Sequence, residues 1–143
     1  MIYIAHRGNI NGPDPKYENN PAQIKLAISK RLYCEVDVWF INGHFILGHD
    51  EPLYPVKEVF LENKKLWCHA KNLAALGKML TNKSIHCFWH DQDHYALTSN
   101  GYIWTLPGYP IEEKSIAVKL EPPAPVGLKC YGICTDYPLL FQE

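Results

Sequence analysis

The chain has 143 residues, with 14 Lys and Arg against 15 Asp and Glu, a net charge of -1, and 47% hydrophobic residues. This balance excludes a disordered chain, and the length suits one domain spanning residues 1–143 better than two large ones. With no basic excess or Lys/Arg cluster, no nucleic-acid partner is expected, and no apolar run nears the ~20 residues of a transmembrane segment.

Met1 to Gly8 lacks the basic region and apolar stretch of a secretion signal, so a cytoplasmic location is expected. Ile2–Ala5 reads as a short buried strand. Asn20-Pro21 has the form of an N-cap followed by proline at the first helical position. Ile24, Ala27, Ile28 and Leu32 then recur at helical spacing, which predicts a helix over 21–31. Tyr33–Phe40 follows as a strand rich in β-branched and aromatic residues, and Asn42-Gly43 predicts a hairpin into Phe45–Gly48. Period-two alternation sets Glu35 and Asp37 on one face of that strand and Cys34, Val36 and Val38 on the other. Two carboxylates so placed repel, and something positive should lie between them.

Leu66–His69 reads as the next interior strand, followed by a helix capped by Asn72 that carries Leu73, Leu76, Met79 and Leu80. Strands are also predicted over Ile85–Trp89, Tyr102–Thr105, Ile116–Leu120 and Tyr131–Thr135. Polar groups follow strand ends repeatedly: His6-Arg7, His49-Asp50, Lys71-Asn72, His90-Asp91, Glu121 and Asp136. In a parallel α/β barrel that rim carries the chemistry. Of these, Glu121 is a weak ligand candidate, and His90, Asp91, Asp93 and His94 read as a polar loop. Trp39, Trp67, Trp89 and Trp104 are expected in the core, with Trp89 and Trp104 near enough to strand ends to wall a substrate. The five cysteines include no CxxC pair and are read as reduced, buried thiols.

His6-Arg7-Gly8, Glu18-Asn19, Glu35-Val36-Asp37-Val38 and Gly48-His49-Asp50, in this order across residues 4–50, resemble the glycerophosphodiester phosphodiesterase family of the phospholipase C-like phosphodiesterase superfamily. Lys71 at a strand end and Thr135-Asp136-Tyr137-Pro138 match more weakly. The resemblance implies an α/β fold, a TIM-like (β/α) barrel. Such barrels take ~250 residues, whereas eight strands here leave about 18 residues each. Several outer helices must be missing or shortened, chiefly after residue 85, and a homo-oligomer is one way to cover the flank so exposed.

The resemblance further implies a small-molecule phosphodiester substrate and one divalent metal ion. His6 and His49 would be the acid/base pair, and Arg7 and Lys71 would hold the phosphate. Glu35 and Asp37 would bind the metal, with His69 or Glu18 completing the set. The family places a glutamate two residues before its strand-end lysine; here that residue is His69. Mg²⁺ is expected, and an imidazole in that position makes room for Mn²⁺ beside it, with Ca²⁺ a third candidate. A head-group binding module, or a structural protein that keeps these residues without turnover, is the alternative. Retention of two histidines favours an enzyme, because phosphate binding alone needs no acid/base pair.

Overall fold

The structure is a computed structural model and describes residues 1–142. Its first half runs β1 (Ile2–Ala5), α1 (Pro21–Ser29), β2 (Tyr33–Ile41), β3 (His44–Leu47), β4 (Tyr54–Val56), α2 (Glu58–Leu61) and β5 (Leu66–Ala70). The second half runs α3 (Leu73–Leu80), β6 (Cys87–Phe88), β7 (Tyr95–Leu97), β8 (Ile103–Thr105), β9 (Ser115–Val118), β10 (Gly132–Thr135) and α4 (Pro138–Gln142). Parallel ladders give the spatial order β6-β5-β2-β1-β10-β9-β8. The antiparallel strands β3, β4 and β7 extend it. Phe88 on β6 and Trp104 on β8 stand at opposite ends of the parallel order, yet their rings stack with centroids 4.6 Å apart. The sheet is therefore curled into a partial barrel. No ladder joins β6 to β8 among the described residues, and the seam is filled by these rings and by Ser99, whose N–H donates to the Cys87 carbonyl at 2.8 Å.

Alternation along the strands separates two cores. Ile4, Trp67, Phe88, Trp104, Ile116 and Cys134 pack inside the curl. The opposite face of β2, with Cys34, Val36 and Val38, packs against Ile24 and Ala27 of α1 and Ala75 and Met79 of α3. The helices form where the sequence supplies caps: Asn20 Oδ1 accepts from Ala22 N–H with proline following, and Asn72 Oδ1 accepts from Ala75 N–H. The cysteines are free, and those on strands are buried. Burial pushes the Cys34 thiol up to about 12, as befits an inert core residue.

The other flank is built differently. Among the described residues no helix occurs between Phe88 and Gly132. The outward positions of β8, β9 and β10 include three hydroxyl residues, Thr105, Ser115 and Thr135, all buried. Two of these hydroxyls bind loops: Ser115 Oγ accepts from Glu112 N–H at 2.8 Å, and Thr135 donates to the Leu120 carbonyl at 3.2 Å. On this flank, loops take the place of helices against the outer face of the sheet. Predicted strand Ile85–Trp89 contracts to Cys87–Phe88, the two residues in register with Cys68 and His69 of β5; Ser99 takes the N–H and the carbonyl of Cys87, and Trp89 turns outward. The described residues contain no helix long and apolar enough to cross a membrane.

His86, at the amino-terminal end of β6, is buried between Trp67, with ring centroids 4.2 Å apart, and Thr98, whose hydroxyl lies 2.8 Å from Nε2. Burial pulls its pKa down to about 4. The unfolded chain, with an imidazole near ~6.5, then binds more protons than the folded one below neutrality. Stability from this residue is complete above pH ~6.5 and is lost as pH falls toward about 4. Thermal melts at pH 7 and pH 4.5 are expected to show a larger drop in Tm for wild type than for His86→Gln. Equal drops would contradict this.

Candidate functional site

The carboxyl ends of the parallel strands converge on a cavity of about 320 Å³. Its lining brings together seven residues singled out from sequence: His6, Arg7, Glu35, Asp37, His49, His69 and Lys71. Register explains much of the convergence. Asp37 pairs with His69 across the β2–β5 ladder, and Ala5, just before His6, pairs with Cys34, just before Glu35. Lys71 N–H donates to the Val38 carbonyl at 2.8 Å, holding the lysine at the rim. His49 arrives by the hairpin. Asn42 and Gly43 have φ of 51° and 79°, the left-handed pair of a type I′ turn. Gly48 N–H then donates to the Asp37 carbonyl, and a Cβ on Gly48 would lie 1.9 Å from the Glu51 carbonyl oxygen. Only glycine permits that close return to the rim.

Glu35 and Asp37 are 2% and 1% exposed. Arg7 N–H donates to Glu35 Oε2 at 3.1 Å, and Arg7 Nε lies 3.6 Å from Asp37 Oδ2. To face both, Arg7 takes a left-handed φ of 53°. Asn19, also left-handed at 61°, holds Asp37 twice: its Nδ2 donates to Oδ2 at 2.9 Å, and its Oδ1 accepts from the Asp37 N–H at 2.8 Å. His69 Nδ1 sits 3.3 Å from Asp37 Oδ1 and 3.6 Å from Glu35 Oε1. Burial pushes the Asp37 carboxyl up, but His69, Asn19 and Arg7 outweigh it and hold it below its ordinary value. For His69, burial is likewise outweighed by the two carboxylates, and its pKa rises to about 9.

The two rim histidines share one arrangement. His6 Nδ1 lies 2.8 Å from Asp136 Oδ1, and His49 Nδ1 lies 2.8 Å from Asp50 Oδ1. A carboxylate only accepts, so each Nδ1 carries hydrogen and Nε2 is left for proton transfer. The pairs differ in burial: Asp136 is buried, whereas Asp50 is almost fully exposed. Burial lowers the His6 pKa, but Asp136 and the charge on Glu35 raise it further, so the net shift is upward.

Glu18 stands outside the lining. One oxygen accepts from Arg7 Nη1 at 3.2 Å and the other from Asn9 Nδ2 at 3.0 Å, so it braces the guanidinium from behind. Asp136 and Asn19 fall within the sequence matches without a stated role, and Asn9 has no signal in the sequence. Asp136 follows β10, the strand beside β1, so its place next to His6 follows from a pairing of chain ends that no local pattern encodes. Asn9 Nδ2 also donates to Asp136 Oδ1 at 2.8 Å, locking that carboxylate. His90 and Asp91, read from sequence as an uninvolved polar loop, line the cavity, and the His90 carbonyl lies 2.9 Å from His69 Nε2.

Compared with protein-family models, curated proteins and solved structures, the chain matches none. The reading of the site therefore stands on its own geometry.

That geometry fits a divalent metal. One ligand atom from each of Glu35, Asp37 and His69 lies within 4.8 Å of the others. Asp37 Oδ1 is buried without a hydrogen-bond partner. His69 Nε2 faces a carbonyl, which only accepts, so its proton stays there, and a bound cation that displaced the Nδ1 proton would find the Nδ1 lone pair directed toward both carboxylates. Calorimetric titration with Mg²⁺, Mn²⁺ and Ca²⁺ is expected to show one site, weakened at least about tenfold in Glu35→Gln and Asp37→Asn. His69→Glu is expected to shift preference from Mn²⁺ toward Mg²⁺ and Ca²⁺, since it exchanges a nitrogen for hard oxygen. Unchanged affinity in Glu35→Gln would remove that residue from the site.

Proposed function

We propose that the chain is a metal-dependent phosphodiesterase acting on glycerophosphodiester-type substrates, on a reduced TIM-like (β/α) barrel. The observation that carries this reading is the meeting, in one cavity, of two carboxylate-backed histidines, two cationic side chains and a buried carboxylate pair. The resemblance over residues 4–50 supports the same conclusion.

Glu35, Asp37 and His69 would hold the metal, with Mg²⁺ the first candidate and Mn²⁺ or Ca²⁺ the others. When bound, it supplies Lewis-acid neutralisation of phosphate charge. Arg7 has five N–H donors and gives one to Glu18, so its fork keeps hydrogens for a phosphate oxygen. Lys71 adds a movable point charge at the rim. One histidine accepts at Nε2 the proton of the substrate's neighbouring glycerol hydroxyl. That oxygen bonds to phosphorus, and the bond from phosphorus to the other alcohol's oxygen breaks. The second histidine gives its Nε2 proton to this leaving oxygen, releasing the alcohol and a cyclic phosphate. Water opens the ring by the reverse proton movements. Asp136 acts as a positioning residue, fixing the His6 tautomer and ring plane.

Loss of one positioned acid or base costs ~10²–10⁴ in rate. His6→Ala and His49→Ala are each expected to lower kcat by about that factor while leaving metal affinity unchanged, and the double variant is expected to lose little more. Asp136→Asn is expected to lower kcat and displace the pH–rate profile, whereas Asp50→Asn, on an exposed pair, changes either much less. Absence of metal-stimulated turnover across glycerophosphodiesters and aryl phosphodiesters would overturn the enzyme reading in favour of a head-group binding module.

A further inference from the structure

A second cavity, of about 330 Å³, opens between the loop after β8 and the loop after β9. Tyr109 and Ile111 wall it on one side, and Pro125 and Leu128 on the other. Leu106 and Val118 line both this cavity and the polar one, so the two spaces adjoin across these side chains. The polar cavity is itself two-sided. Its ionisable residues come from the ends of β1, β2, β3, β5 and β6, whereas Trp104, Leu106 and Val118, from β8 and β9, supply its apolar wall. That wall is the boundary with the second space.

A phosphodiester has two arms. One must carry the attacking hydroxyl among the charged groups, and the other must leave the phosphate in a different direction. Loops that expose apolar side chains beside a charged cavity do so at a cost in water, which an apolar ligand removes. We infer that this groove receives an apolar arm of the substrate, so that the preferred substrates are amphiphilic phosphodiesters with a polar glycerol on one side and one hydrocarbon chain on the other. The inference rests on the phosphodiesterase reading for turnover. For binding it rests only on the adjoining cavities.

The test uses glycerophosphodiesters of straight-chain alcohols from ethanol to octanol, below their aggregation concentrations, with Mg²⁺ or Mn²⁺ present. Burial of about 0.8 kcal/mol per methylene corresponds to about fourfold per methylene. kcat/KM is expected to climb by up to this factor at each step and to level off once the groove is full. Ile111→Gln and Leu128→Gln are expected to flatten the climb while leaving turnover of the ethanol diester unchanged. Turnover of all diesters at one kcat/KM would overturn the groove assignment and leave the phosphodiesterase reading intact. If no diester turns over, that reading fails, and calorimetry with butyl and octyl phosphate decides the groove separately. Tighter binding of octyl phosphate, lost in both variants, sustains the assignment; equal binding of the two overturns it.

Discussion

Two carboxylates buried side by side inside a curled sheet form the constraint around which this molecule is arranged. With ligand atoms of Glu35 and Asp37 within 4.8 Å of each other, two full charges repel by about 3–4 kcal/mol at an effective dielectric near 20. Desolvation adds to that. The chain answers from four directions: the Arg7 backbone and guanidinium, the doubly bonded Asn19, the His69 ring and the ladder that sets His69 beside Asp37. The left-handed φ of Arg7 and Asn19 costs about 1–2 kcal/mol at each. That is tolerable against the repulsion it relieves. One carboxylate oxygen, Asp37 Oδ1, makes no hydrogen bond and has only the ion pair with His69 Nδ1 at 3.3 Å. A buried acceptor left so is costly for folding alone and useful for holding a cation.

The asymmetry of the barrel bears on this site. Where α1 and α3 clad the sheet, β1, β2 and β5 are backed by a packed apolar core and hold their inward charged groups rigidly. Where loops replace helices, Ser115 and Thr135 anchor loop backbone, and the rim there is apolar. The half of the partial barrel that carries charge is thus the half backed by helices. The half reduced to loops forms the apolar wall of the polar cavity, with Trp104, Leu106 and Val118 facing it.

Much of this was legible in the chain. Asn20-Pro21 and Asn72 mark helix starts, Asn42-Gly43 marks the hairpin, and alternation in Tyr33–Phe40 puts Glu35 and Asp37 on the inner face, because each is a local rule acting on adjacent residues. The scarcity of helices after residue 85 agrees with a chain too short for the full barrel that the resemblance implies. Contacts across the chain were not legible. The pairing of β1 with β10 brings Asp136 to His6, 130 positions away, and the Ser99 contact with β6 depends on a loop closing over a sheet edge. Short elements such as β4, α2, β7 and α4 offer too few residues for any period to register.

The central claim is that the buried carboxylate pair is a metal site at the heart of a phosphate-handling cavity. A crystal structure of the protein soaked with Mn²⁺, read by anomalous scattering, tests it most directly. The account predicts one strong peak bonded to Glu35, Asp37 and the Nδ1 of His69, with the ring still donating from Nε2 to the His90 carbonyl. A peak confined to surface carboxylates, with His69 still paired to an empty Glu35–Asp37 site, would contradict it.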